Sequence, residues 1–328
     1  MLKEKIMDNQ MHLNKPIRIG ISMCLLGEKV RFDSGHKKDR FITDTLGKYF
    51  EFVPACPELE VGMGVPREPV RLIGPQDHPK MVGVKSGTDW TEIMYKYSFE
   101  KTKILKDEKL CGFIFKSDSP SCGMERVKIY TEKGMPSKSG RGIFSSVFMK
   151  NLPLLPVEEE GRLNDNHLRE NFIVRVFAYH RFQTLTENKF SLGAFVQFHT
   201  IHKFLLLAHS PKHYDILGRI IAQSKQYKPH ELIENYGRAF MEGLSVKSTV
   251  KKNVNVLQHI VGFLREDLTI IEKEDLLQTI QDYHKGLVPL IVPITLVRHY
   301  VKKYDIGYVK NQVYLNPHPK ELMLRNHV

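Results

Sequence analysis

The chain has 328 residues, a formal net charge of +12 and four cysteines, none of them in a C-x-x-C pair. That length predicts two domains rather than one. The thiol spacing argues against a disulfide framework, thioredoxin-like redox chemistry and the common zinc-ribbon patterns. No run approaches the roughly 20 apolar residues of a membrane helix, and Met1 to Lys15 lacks the apolar stretch of a signal peptide, so a cytoplasmic protein with no membrane partner is expected.

The first half reads as alternating strands and helices. Ile17 to Met23 is a short apolar run ended by Cys24, Glu51 to Ala55 is a second ended by Cys56, and Leu110 to Lys116 is a third that leads into SDSPSCG. Between the second and third, Asp89 to Leu105 carries Ile93, Met94, Tyr97 and Ile104 at roughly helical spacing. Strand, helix, strand alternation predicts an α/β domain with a parallel sheet and covering helices. In such sheets ligands collect beyond the carboxyl ends of the strands, which is where Cys24, Cys56 and Cys122 fall. Cys111 lies inside the third apolar run and reads as a buried small hydrophobe.

The run NLPLLPVEEEG (151–161) and a helical stretch from Asn164 to Phe182 are expected to finish this domain, giving a boundary at 188: residues 1–188, then 189–328. The second part reads as all-α, with helices at Phe195 to His209, His213 to Gln226, Pro229 to Leu244, Ser248 to Leu264, Glu272 to Lys285 and Pro293 to Tyr304. The charge divides evenly, 31 basic against 25 acidic residues through Lys189 and 18 against 12 after it. No single basic tail explains the excess, and an anionic partner such as nucleic acid is a reasonable expectation.

The three strand-end cysteines sit in SMCLLG, ACPE and SPSCG. Glycine or proline beside a thiolate lets the backbone approach a metal cluster closely, yet each cysteine taken alone also fits an ordinary buried side chain. The stretches SMCLLGEKVRFDSGHK, PACPELEVGMGVPREPVRL and KSDSPSCG resemble the thiouracil desulfidase (TudS) family, between Ile17 and about Phe182. LQHIVGF, GLVPLIVPITLVRHY and LNPHPKELMLRN resemble a helical domain of unknown function, and the fusion is similar to RudS-type bacterial desulfidases that act on 4-thiouridine in tRNA. This resemblance implies a 4Fe-4S cluster held by Cys24, Cys56 and Cys122, with one iron free to bind sulfur leaving a thiolated pyrimidine.

Hydrolytic loss of sulfur needs a proton carrier near that iron. Glu58, two residues after a cysteine, is the first candidate, with Ser119 and Ser121 as groups that orient water or substrate; Asp33 and Lys116 are weaker candidates. Each also has a structural reading, Glu58 as a turn cap and the serines as local backbone partners. In the helical part Arg298, Lys302, Lys303 and Arg325 are expected to contact a tRNA backbone, with Tyr300 and Tyr304 available for base stacking or for the core. His199 and His202 are spaced as a metal pair but lack an accompanying carboxylate, and read as ordinary histidines. Two other functions stay open: desulfidation of free thiouracil, and a non-catalytic RNA-binding protein with a structural cluster.

Overall fold

The computed structural model describes residues 16–131, 134–187 and 189–327. The expectation about Met1 to Lys15 lies outside the described residues, as does the expected boundary residue Asn188. The chain divides into two compact units, one ending at Asp165 and the other running from Asn166. Among the described residues no helix is long and apolar enough to cross a membrane.

In the first unit β1 (Ile17–Ser22), β2 (Phe50–Ala55), β5 (Gly112–Phe115) and β8 (Val157–Glu159) form a sheet in the order β2-β1-β5-β8. Every pairing in it is parallel, as the strand and helix alternation predicts. A second sheet, absent from the sequence reading, has the order β4-β3-β6-β7, from β3 (Val70–Ile73), β4 (Lys80–Gly83), β6 (Val127–Tyr130) and β7 (Pro136–Gly140). Its strands are four or five residues long, and β7 reads PSKSG, too short and too polar to register as apolar runs.

The short helix α1 (Pro57–Glu60) follows β2, and two longer helices join the sheets: α2 (Thr91–Asp107) and α3 (Ile143–Asn151). Phe144 and Phe148 of α3 meet Phe113 and Phe115 of β5, with ring centroids 4.8 to 6.1 Å apart. On the other side Met94 of α2 and Ile143 of α3 pack with Leu72, Met81, Val127 and Ile129 of the second sheet. Offset and edge-to-face aromatic contacts of this kind stabilise beyond the area they bury.

The second unit is helical: α4 (Asn166–Glu187), α5 (Leu192–His209), α6 (Pro211–Ala222), α7 (Pro229–Ser245), α8 (Val250–Leu264), α9 (Ile270–His284) and α10 (Ile291–Lys303). The clearest departure from the sequence reading concerns α4, which groups with this unit and not with the first. Its Phe182 ring lies among Phe195, Phe198, Tyr236 and Phe240, at 5.9 to 6.4 Å. Asn171 donates to the Leu244 carbonyl at 3.0 Å, and Arg181 donates to the Pro317 carbonyl at 2.8 Å. A helix whose apolar and polar residues are mixed around its circumference gives no sign in sequence of which core it enters.

Three histidines of this unit are held neutral. The Nδ1 atoms of His202, His209 and His318 face the carbonyls of Phe198, Val246 and Pro319 at 2.7, 2.8 and 3.0 Å. Burial lowers the imidazole pKa to about 3 for His202, about 4 for His209 and about 3 for His318. An unfolded imidazole titrates near 6.5, so the unfolded chain takes up protons first as pH falls. The stability these groups contribute is therefore complete above about pH 6.5 and is lost on the way down to pH 3–4. Denaturant midpoints for the helical circular dichroism signal are expected to be flat from pH 7 to 8 and to drop steadily from pH 6 to 4, and His202→Gln is expected to flatten that drop.

Candidate active site

Parallel strands deliver the three cysteines to one edge. After β1, Cys24 sits in a 3-10 turn (Met23–Leu26) closed by Gly27. Gly27 has φ of 102°, a left-handed backbone that glycine adopts without a Cβ clash, and its amide donates to the Cys24 carbonyl. After β2, Cys56 is the residue ahead of α1, with Pro57 at the first helical position. After β5 the chain enters a loop that carries Ser119, Ser121 and Cys122.

That loop is seated on the start of α3. Gly142 donates to the Gly123 carbonyl at 2.8 Å, Ile143 to that of Pro120 at 3.1 Å, and the Ser145 hydroxyl to that of Gly123 at 2.6 Å. A Cβ on Gly142 would overlap the Ser121 carbonyl, so only glycine permits the approach. Cys111 precedes β5 and its amide donates to the Arg18 carbonyl near the start of β1, at the amino end of the sheet. It does not join the other three.

Cys24, Cys56 and Cys122 line one cleft of about 760 Å³, and none is in a disulfide. Burial pushes the Cys24 thiol up to about 11, with Cys56 adding to the rise. The Cys56 thiol is likewise raised, by burial first, against a backbone hydrogen bond from Leu59. Cys122 is raised by burial against a hydrogen bond with Ser22, and both other thiols push it further. Each of the three therefore lies within electrostatic reach of the others, and their thiolates need a compensating cation. Among the described residues no three His, Cys, Asp or Glu groups close around a single metal ion. Three soft sulfur donors spread along a cleft wall suit an iron-sulfur cluster, which such donors hold.

Beside them Glu58 is bound on both oxygens. Ser121 Oγ donates to Oε1 at 2.5 Å and Ser119 Oγ approaches the same atom at 3.4 Å. The Arg67 guanidinium pairs with Oε2 through Nε, at 3.2 Å, and Nη2. Arg67 is 5 % exposed and also donates to the carbonyls of Val30 and Gly64 at 3.0 and 2.9 Å. Across the cleft, Lys116 Nζ pairs with Glu160 Oε1 at 2.5 Å, and both charges are felt at Cys24.

Glu58, Ser119, Ser121 and Lys116 thus line the same cleft as the thiols. Asp33 does not: its carboxylate accepts from the Gly35 amide at 3.0 Å in an exposed turn. Sequence reasoning missed Arg67 and Glu160, and it missed a basic wall of Arg31, Lys37, Arg71, Lys128 and Lys138, three of which the second sheet carries on β3, β6 and β7. The runs GVPREPV and VEEEG held the first two in plain view, but nothing in their spacing tied them to a cysteine.

The basic residues named for RNA contact fare unevenly. Arg325 is 6 % exposed and is held by Glu170 at 3.0 Å and by the Tyr314 carbonyl at 2.7 Å, so it is a core ion pair, not a phosphate ligand. Lys303 pairs with Glu272 at 2.6 Å, which with other hydrogen bonds holds that carboxyl down at about 2. Lys302 is exposed, and half-buried Arg298 borders a small pocket of about 30 Å³ together with His318 and Lys320. Tyr300 is buried, which removes it from base stacking, and half-buried Tyr304 donates its hydroxyl to Glu272 at 2.7 Å. His199 meets the Tyr236 hydroxyl at 3.2 Å while His202 is fully buried against Phe198, so the two form no metal pair.

Comparisons with known proteins agree with this division. Residues 19–160 match the family described as 2-thiouracil desulfurase, and residues 203–319 match a family of unknown function, DUF1722. The uncharacterized protein YbgA of Escherichia coli K12 is 27% identical over 165 residues, 50% of this chain and 98% of its own. The uncharacterized protein YbbK of Bacillus subtilis 168 is 32% identical over 108 residues, 31% of this chain and 71% of its own. A solved structure titled as the 4Fe-4S-dependent thiouracil desulfidase TudS is 26% identical, covering 45% of this chain and 93% of that one with a TM-score of 0.38.

The Glu58–Arg67 pair has a measurable signature. Arg67→Met leaves a mostly buried carboxylate without its cation and is expected to cost about 3 kcal/mol in urea denaturation, the lower end for a buried pair. Adding Glu58→Gln to the same chain is expected to recover most of that loss, and strict additivity of the two changes would mean the groups act independently.

Proposed function

The chain belongs, through residues 19–160, to the 2-thiouracil desulfurase family, and on that footing we propose that it removes sulfur from 4-thiouridine in tRNA with a 4Fe-4S cluster held by Cys24, Cys56 and Cys122. The observation that carries this reading is the meeting of three thiols, those of Cys24 and Cys122 buried and that of Cys56 half-buried, with the Glu58, Ser121 and Arg67 network in one cleft. The chemistry a cluster with three cysteine ligands supplies is a Lewis-acidic iron without a protein ligand, suited to departing sulfur.

The chain's own residues do the rest. Replacing C=S by C=O consumes one water and releases one sulfide, so a proton must leave the water and another must reach the ring nitrogen or the sulfide. Glu58 Oε1 accepts from the Ser121 hydroxyl, and this pair receives the proton of the attacking water and returns it to the product side. Arg67 holds the carboxylate in place from behind. Ser119, within 3.0 Å of Ser121 Oγ and bound by the Cys122 amide at 3.1 Å, aligns the hydroxyl with the third cysteine.

The basic wall favours RNA over a free base. Thiouracil brings no phosphate to Arg31, Lys37, Arg71, Lys128 and Lys138, whereas a nucleotide within tRNA brings one on each side, and phosphate contacts fix register while the base enters the cleft. The helical unit adds affinity for the same RNA through surface cations such as Arg298 and Lys302. A cytoplasmic location follows from that substrate.

Anaerobically reconstituted protein is expected to contain iron and sulfide and to release sulfide from thiolated tRNA. Cys24→Ala, Cys56→Ala and Cys122→Ala should each lose the cluster, while Cys111→Ala keeps it; a cluster of unchanged spectrum in any of the first three would overturn the ligand assignment. Glu58→Gln should retain the cluster and turn over about 10²–10⁴ times more slowly. Reversing Arg71, Lys128 and Lys138 to Glu should weaken tRNA binding and reduce its salt dependence without slowing turnover of free 4-thiouracil. Equal loss on both substrates would return the cleft to small-molecule desulfidation.

A further inference from the structure

β8 ends in two carboxylates, Glu158 and Glu159, and a third, Glu160, follows directly; successive residues of an extended chain face opposite sides. Between them they hold both ends of the Cys122 loop. Glu160 accepts from the Ser117 amide at 2.7 Å, from the Ser117 hydroxyl at 2.8 Å and from Lys116 Nζ at 2.5 Å, which ties down the start of the loop. Glu159 accepts from the amides of Met124 at 2.7 Å and Glu125 at 3.4 Å, which ties down its end. Glu158 reaches the same end indirectly, because Arg162 donates to Glu158 and to Glu125, both at 2.5 Å.

Glu159 is only 5 % exposed. Burial raises its carboxyl pKa, and the amides of Met124 and Glu125 oppose that rise. An edge-strand position packed against the interior is cheaply filled by an apolar side chain, and a buried carboxylate there is costly unless its hydrogen bonds are all made. The donors that offset the cost belong to residues two and three positions beyond Cys122. The bonds from Ser145 and Gly142 seat the middle of the loop on α3, but they do not hold its ends.

We propose that Glu159 and Glu160 form a carboxylate clamp that positions the loop from Lys116 to Glu125, Glu160 setting Lys116 at the cleft wall and Glu159 setting the register of Cys122. The clamp rests on the reading of Cys122 as a cluster ligand for its functional meaning, although its geometry does not. Both glutamates are positioning residues: neither meets substrate, and each acts through the loop it holds.

The test compares the full chain with Glu159→Ala and Glu159→Gln by two measurements. One is hydrogen exchange of the Met124 and Glu125 amides in protein without iron. The other is the rate at which a ferrous chelator strips the reconstituted cluster. Losing a charge-assisted hydrogen bond predicts exchange and cluster loss about tenfold faster in Glu159→Ala. Glu159→Gln keeps an acceptor oxygen for the amides and is expected to stay within about threefold of the native chain. The change should be confined to the loop, with the amides of β1 protected as before. If Glu159→Ala does not fold, Glu159→Asp, one methylene too short for the Met124 amide, takes its place with the same expectation. Native rates in the Ala or Asp chain would overturn the clamp. A native chain that takes up no cluster would instead overturn the ligand reading, and the amide exchange would still decide the clamp.

Discussion

Parallel strands force their connections to cross over, and in doing so they bring every strand's carboxyl end, with the loop that follows, to the same edge of the sheet. The rest of this site depends on that constraint. Cys24, Cys56 and Cys122 are 32 and 66 residues apart in sequence, yet each follows a strand of the parallel β2-β1-β5 set. Cys111, one residue before β5, is at the amino end of the same sheet and is removed from the others by the length of the strand.

Gathering three thiols at a buried edge creates an electrostatic problem, and the surrounding charges are arranged around it. The thiols raise one another's pKa in addition to what burial does, so the thiolate form waits on a cation. Carboxylates are present nearby, but each is occupied: Glu58 by Arg67, Glu160 by Lys116 and Ser117, and Glu159 by two amides. Breaking such pairs costs more than forming them gains. The arrangement therefore contributes less to stability than to keeping each group in one place, with the Glu58 carboxylate directed at Ser121 and the Cys122 loop held at both ends.

The second sheet gives the cleft its other face. Its short strands pack on α2 and α3 through Leu72, Met81, Val127 and Ile129, while Arg71, Lys128 and Lys138 line the opening. One wall thus carries the thiols and the Glu58 carboxylate, and the other carries positive charge. On the function proposed above, that asymmetry suits a polyanionic substrate whose reacting base is only a small part of what must be held.

The sequence by itself determined the strand-end positions of the three cysteines, the parallel α/β character of the first unit and the helices of the second, because these are local matters of apolar period and of glycine or proline beside a thiol. It also placed Glu58, Ser119 and Ser121 near these cysteines, since each is within three residues of one. Only the tertiary structure decided that Arg67 and Glu160 join them, that polar strands such as PSKSG build a basic wall, and that Arg325 and Tyr300 belong to the core instead of the surface. It alone assigned α4 to the helical unit, through Phe182 packed among Phe195, Phe198, Tyr236 and Phe240. The physical reason is the same in each case: an ion pair or an aromatic cluster is a property of two or more distant segments, and neither segment carries in its own pattern the identity of its partner.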